Sequence, residues 1–112
     1  MPVNKPVLEV VFYKTSLGNQ PVKEWLKAQP KNVRKIIGDD IKTVQYRWPL
    51  GMPSVRPLGK GLYEVRSNLP DRRIARTFFT LFEEYMVLLH SFIKKTERTP
   101  QREIDIARQR MR

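Results

Sequence analysis

Three short stretches of this chain thread cations through sequence that otherwise reads as consecutive β-strands. They are Leu62-Tyr-Glu-Val-Arg66, Arg73-Ile-Ala-Arg76 and Val87-Leu-Leu-His-Ser-Phe-Ile-Lys-Lys-Thr96. Together they are expected to bring Arg66, Arg76, His90, Lys94 and Lys95 into one sheet. Those residue types suit cleavage of RNA without a metal. A base takes the 2′-hydroxyl proton, guanidinium groups hold the crowded phosphate, and an acid protonates the departing 5′-oxygen. Arginine is the better bidentate phosphate ligand, and lysine or histidine the better proton carrier. Each also has a purely structural reading. Arg66 and Arg76 can pair across the sheet with Glu64, Glu83 or Glu84, and a lone histidine in an apolar strand can be a satisfied core group.

The chemistry that is absent narrows the field. With no cysteine among 112 residues there is no thiol nucleophile, thiolate-bound zinc or disulfide framework, a composition compatible with a reducing cytoplasm. No glycine-rich phosphate loop, zinc spacing or nucleophile elbow occurs. The adjacent carboxylates Asp39-Asp40 and Glu83-Glu84 do not converge as metal ligands, so neither a metal nor a cofactor is expected. Met86-Val-Leu-Leu89 is too short to span a bilayer, and no leader-like segment opens the chain, so a cytoplasmic protein without a membrane role is expected.

The net charge is +11, from 22 Lys plus Arg against 11 Asp plus Glu, and the sequence pI is near 10.4. Self-repulsion of this size in a small domain favours an acidic partner, and nucleic acid leads because the basic C-terminal segment lacks the aromatics of a membrane-surface helix. Lys60, Arg73, Arg98, Arg102 and Arg108 are the further residues expected to hold RNA, in a salt-dependent way.

The positioning elements follow from periodicity. Residues 1–112 are expected to form one domain, with 40% hydrophobic residues, enough for a small core. Val7–Tyr13 is rich in β-branched and aromatic residues and reads as a strand. Asn19 is placed to cap a helix with Pro21 in its first turn, and Val33, Ile37, Ile41, Val44 and Trp48 mark a second, longer helix. The proline- and glycine-rich run Trp48–Gly59 reads as an irregular loop. Strands are expected over 61–67, 73–82 and 85–93, forming an antiparallel meander with turns at Asn68–Asp71 and Glu83-Glu84. Strict alternation sets Val87, Leu89, Ser91 and Ile93 against Met86, Leu88, His90, Phe92 and Lys94. Thr99 followed by Pro100 reads as the start of a C-terminal helix with Arg102, Arg108, Arg110 and Arg112 on its exposed side. The result is an α+β domain ordered β-α-α-β-β-β-α, its antiparallel sheet packed by two N-terminal helices.

Those strand motifs, followed by Thr99-Pro-Gln-Arg-Glu-Ile-Asp-Ile-Ala107, resemble the phage-derived, HigB-like branch of the RelE/ParE toxin superfamily over nearly the whole chain. The resemblance implies a basic toxin of a type II toxin-antitoxin pair that cuts mRNA on the ribosome. It implies a HigA-like helix-turn-helix antitoxin, with operator DNA bound only through that partner. It also places Arg76 at the position of a sheet arginine that contacts the scissile phosphate, Arg66 near a basic residue of the preceding strand, and Lys94 and Lys95 near a cation after the last strand. Glu64 departs from the pattern, where lysine can stand, and no tyrosine follows Lys95 to stack on a base; His90 is the substitute for that missing acid or base. Two other activities remain compatible with the fold, namely ParE-like inhibition of gyrase without catalysis, and RNA or ribosome binding without cleavage.

Overall fold

A computed structural model describes residues 5–112. The first strand, β1 (Glu9–Phe12), is followed by two helices, α1 (Pro21–Lys27) and α2 (Lys31–Arg47). Four strands come next, β2 (Val55–Gly59), β3 (Leu62–Asn68), β4 (Ile74–Phe82) and β5 (Tyr85–Lys94), and α3 (Gln101–Met111) closes the chain. The five strands form one sheet in the order β1-β5-β4-β3-β2. The α+β class and element order expected from periodicity are thus present, with two differences.

The first is β2. The run Trp48–Gly59 is irregular only to Ser54, after which Val55–Gly59 pairs antiparallel with β3. Pro57 removes one amide donor, which an edge strand tolerates because its outer side needs none. The second is β1, which lies parallel to β5, with Glu9 opposite Tyr85 and Phe12 opposite Leu88. The sheet is therefore mixed: an antiparallel β2-β3-β4-β5 meander with the N-terminal strand added along its far edge.

One face is covered by α1 and α2. The stripe Val33, Ile37, Ile41 and Val44 is buried there against Val65, Ala75, Phe79, Met86 and Leu88. Trp48 ends the stripe with its ring edge-on to Tyr63 and Phe79, centroids 5.2 and 5.7 Å away. The other face is covered by α3, where Leu62, Phe78, Leu89, Phe92 and Ala107 form a second, smaller core. Pro100 occupies the helix-start position, and the Thr99 side chain makes no cap bond to the helix, contrary to its expected role. Gln20 rather than Asn19 precedes α1, and its amide is met by the Glu24 carboxylate at 3.0 Å.

The pairing of β4 with β5 passes from Phe78↔His90 to Phe79↔Leu88, leaving Leu89 unmatched. This bulge interrupts the alternation read from the sequence. Val87 and Leu89 therefore join Phe92 in the core under α3, and the His90 and Phe92 rings stack with centroids 5.9 Å apart. Periodicity of two cannot register an inserted residue, so alternation separates Leu89 from Phe92 where the structure puts them on one face.

The fold predicts that Phe79→Ala, which empties the space between Trp48 and Tyr63, lowers stability by roughly 3–5 kcal/mol in urea unfolding.

Candidate nucleic-acid site

Arg66 and Arg76 are direct cross-strand partners in the β3–β4 register, so they share one face of the sheet. Two like charges side by side repel, and the chain resolves this with carboxylates. Glu64, two residues before Arg66 and diagonal to Arg76, places Oε2 2.8 Å from the Arg76 guanidinium. Both residues are only 1% exposed. The Thr99 hydroxyl, freed from helix capping, donates to the other Glu64 oxygen at 2.7 Å.

Arg76 is held from above as well. Its second terminal nitrogen donates to the main-chain carbonyls of Thr96 and Glu97, at 3.1 and 2.7 Å. The connection from β5 to α3 is thereby strapped across the sheet. Only Nε of this guanidinium lacks a hydrogen-bond partner among the described residues. Arg66 is nearer solvent, and its guanidinium meets the Glu97 carboxylate at 3.0 Å. That carboxylate sits where a phosphate would bind the same fork.

Two hollows flank this cluster. One of about 130 Å³ is bounded by Arg56, Glu64, Arg66, Arg76 and Glu97. The other, about 330 Å³, is bounded by Arg66, Arg72, Arg73, Lys95 and Glu97 above Leu69 and Ile74. Arg72 reaches it from a tight 3-10 turn, Pro70–Arg72, in which Asp71 and Arg72 both take positive φ, 63° and 59°. Among the described residues, Arg72, Arg73 and Lys95 form no salt bridge, so their charge is available to a ligand.

The residues proposed from sequence thus divide. Arg66, Arg73, Arg76 and Lys95 come together, and half-buried Lys94 lies opposite Ile74 at the same end of the sheet. Arg98 is exposed on the β5–α3 connection, and Arg102 on the first turn of α3. His90 stands apart from the arginines behind Phe92, the partner of Arg76. Its Nε2 lies 2.6 Å from the Glu103 carboxylate, and Nδ1 is 3.4 Å from Arg110, which ties β5 to α3. Lys60 occupies the tip of the β2–β3 hairpin, where Lys60 and Gly61 take the positive φ of a type I′ turn. That tip lies about 20 Å along β3 from Arg66, at ~3.3 Å per residue.

Arg108 and Arg110 are not on an exposed face. Arg108 donates to the carbonyls of Leu58 and Gly59, and Arg110 to that of Leu89. They fasten α3 to the sheet. Glu97 and Arg72 carry no part in the sequence reading, whereas the cross-sheet pairing it allows between Arg76 and Glu64 is present. An acid isolated within Lys94-Lys95-Thr96-Glu97-Arg98 was the available signal for Glu97. Among the described residues, no three His, Asp or Glu side chains converge into a metal-binding group, and no helix is long and apolar enough to cross a membrane.

The two helices on one face of a mostly antiparallel sheet, with a third on the other, constitute a RelE-like α+β fold. The chain belongs to the phage-derived Gp49-like family (DUF891), whose family model matches residues 24–112, from within α1 to the C-terminus. That family is toxin-like, of the RelE type, and a toxin-antitoxin family implies an antitoxin as partner. Among curated proteins, none matches the chain.

Removing one member of the Glu64–Arg76 pair leaves the other charge buried and uncompensated. Arg76→Ala and Glu64→Ala are therefore each expected to lose roughly 3–5 kcal/mol in chemical denaturation. Arg102→Gln, at an exposed position, should change stability by less than about 0.5 kcal/mol in the same experiment.

Proposed function

We propose that this protein is a HigB-like toxin that inhibits translation by cutting mRNA on the ribosome, without a metal. The observation that carries this reading is the Arg66–Arg76 cross-strand pair beside a hollow rimmed by Arg72, Arg73 and Lys95. RNA reaching Arg66 displaces the Glu97 carboxylate, exchanging one anion for another on the same guanidinium. The 2′-oxygen then attacks the adjacent phosphorus: the O2′–P bond forms, the P–O5′ bond breaks, and a 2′,3′-cyclic phosphate and a 5′-hydroxyl result.

Arg66 supplies the direct phosphate contact. Arg76, out of reach of solvent and paired with Glu64, acts as a positioning residue: it holds the strap that carries Glu97 over Arg66. Proton transfer falls to groups at the rim: the displaced Glu97 carboxylate to accept the 2′-hydroxyl proton, and Lys94 or Lys95 to protonate the 5′-oxygen. His90, engaged by Glu103, serves this site by holding α3 and hence the strap. Arg98 and Arg102 extend the cationic surface toward ribosomal RNA. The antitoxin on this reading is a HigA-like helix-turn-helix protein through which alone the pair contacts operator DNA.

Because Arg76→Ala disturbs a buried ion pair, the cleaner test is Arg66→Gln. A defined mRNA incubated with the purified protein, with and without translating ribosomes, is mapped for new 5′-ends. Cuts that require ribosomes and fall at least about a hundredfold in Arg66→Gln, with thermal unfolding unchanged, are the expected result. Intact mRNA in every tube, or full cutting by a folded Arg66→Gln, sinks the assignment. Intact mRNA accompanied by lost gyrase supercoiling would transfer it to a ParE-like inhibitor. Arg102→Gln should in addition weaken ribosome association and reduce its salt dependence, measured by co-sedimentation across a salt series.

A further inference from the structure

In a chain with twice as many cations as anions, one corner of the sheet is acidic. Glu9 and Tyr85 are partners across β1 and β5, and Phe82 and Tyr85 are partners across the β4–β5 hairpin. Val11 lies opposite Val87 in the next row. Alternation puts all of these on the face that α3 covers further along, but α3 stops short of this corner. Phe82 is consequently 65% exposed and Val11 40% exposed. Around them stand Glu9, Glu83 and Glu84, all exposed. Among the described residues, none of these three carboxylates has a salt-bridge partner, although the chain carries 22 Lys and Arg.

An exposed phenylalanine beside valines and a tyrosine marks a contact surface more readily than a solvated one. The unpaired carboxylates specify its chemistry. They repel RNA phosphates, so the corner is not an extension of the cationic site. They attract Lys and Arg, and the apolar centre asks for large apolar side chains between those cations.

We propose that this corner docks a segment of a partner protein, the antitoxin, that carries Lys or Arg beside large apolar residues. The identity of the partner rests on the toxin-antitoxin reading; the chemistry of the segment does not depend on RNA cleavage. Arg76 and Phe82 are six residues apart on β4, about 20 Å. A segment seated here leaves the Arg66 hollow uncovered by itself, so it anchors the partner instead of occluding the site.

The test uses the whole chain, labelled for amide NMR, with two short helical peptides as probes. One is built of Lys, Leu and Ala; the other has Glu in place of each Lys. The Lys peptide is expected to shift amides of Glu9–Val11 and Phe82–Val87, and the doubly reversed variant Glu9→Lys/Glu84→Lys to bind it about tenfold more weakly with unchanged thermal unfolding. In cells, an antitoxin that neutralises the native chain should fail to neutralise that variant, while growth inhibition and mRNA cuts persist. Several results overturn the proposal: preference for the Glu peptide, shifts confined to other surfaces, no binding, or equal neutralisation of both proteins. Concentration-dependent shifts of these same amides in the protein alone would instead assign the corner to a second copy of the chain. Loss of mRNA cutting by the native protein would remove the nuclease reading and leave the peptide result standing.

Discussion

The buried pair of Glu64 and Arg76 is the constraint on which the rest of the site depends. A guanidinium at 1% exposure is sustained only where its charge and donors are met. Here one carboxylate from β3 and two carbonyls from the β5–α3 connection do so. The same set of contacts fixes three other things. It sets the height of the strap above the sheet, it brings Thr99 onto Glu64, and it leaves Glu97 facing Arg66. Sheet, strap and helix α3 are thereby joined at one charged atom group, and a change at any of its members is felt at all of them.

Charge is distributed along the sheet with a polarity that the overall +11 conceals. At the end where β3 and β4 meet the tight turn, Arg66, Arg72, Arg73 and Lys95 accumulate around a hollow. At the opposite end, Glu9, Glu83 and Glu84 surround exposed apolar side chains. Attraction for a polyanion is thus concentrated at the first end, while at the second the carboxylates stand one hairpin away from Lys60. The glutamate at position 97 modulates the attractive end by occupying Arg66 when nothing else does.

Much of this architecture was legible from residue types and spacing. The stripe Val33, Ile37, Ile41, Val44 specified the helix that covers one face, and the strand runs around Tyr63, Phe78 and Leu88 specified the meander. Alternation allows Arg66 and Arg76 to share a face, but their direct opposition is a matter of β3–β4 register, which residue types do not fix. Three features were not legible, each for a physical reason. The strand at Val55–Gly59 hides behind Pro57, because proline is acceptable only on the edge that this strand happens to form. The bulge at Leu89 breaks a period of two without any residue that advertises it. The roles of Thr99, Arg108 and Arg110 are tertiary: a hydroxyl that resembles a cap and arginines that resemble a solvated face are claimed by partners between 21 and 50 residues distant.

The parallel seating of β1 against β5 has a temporal meaning. Glu9 finds its partner only at Tyr85, and Arg76 finds its carbonyl partners only at Thr96 and Glu97. Closing loops of that length is entropically slow relative to forming the helices. While the C-terminal part of the chain is still being synthesised, the strap that seats Arg76 does not exist and α3 has not formed. A nascent copy therefore carries its arginines without the arrangement that makes a site of them. The arrangement waits for the segment that carries Thr96 and Glu97, and until then Arg76 is a buried charge without its full set of acceptors.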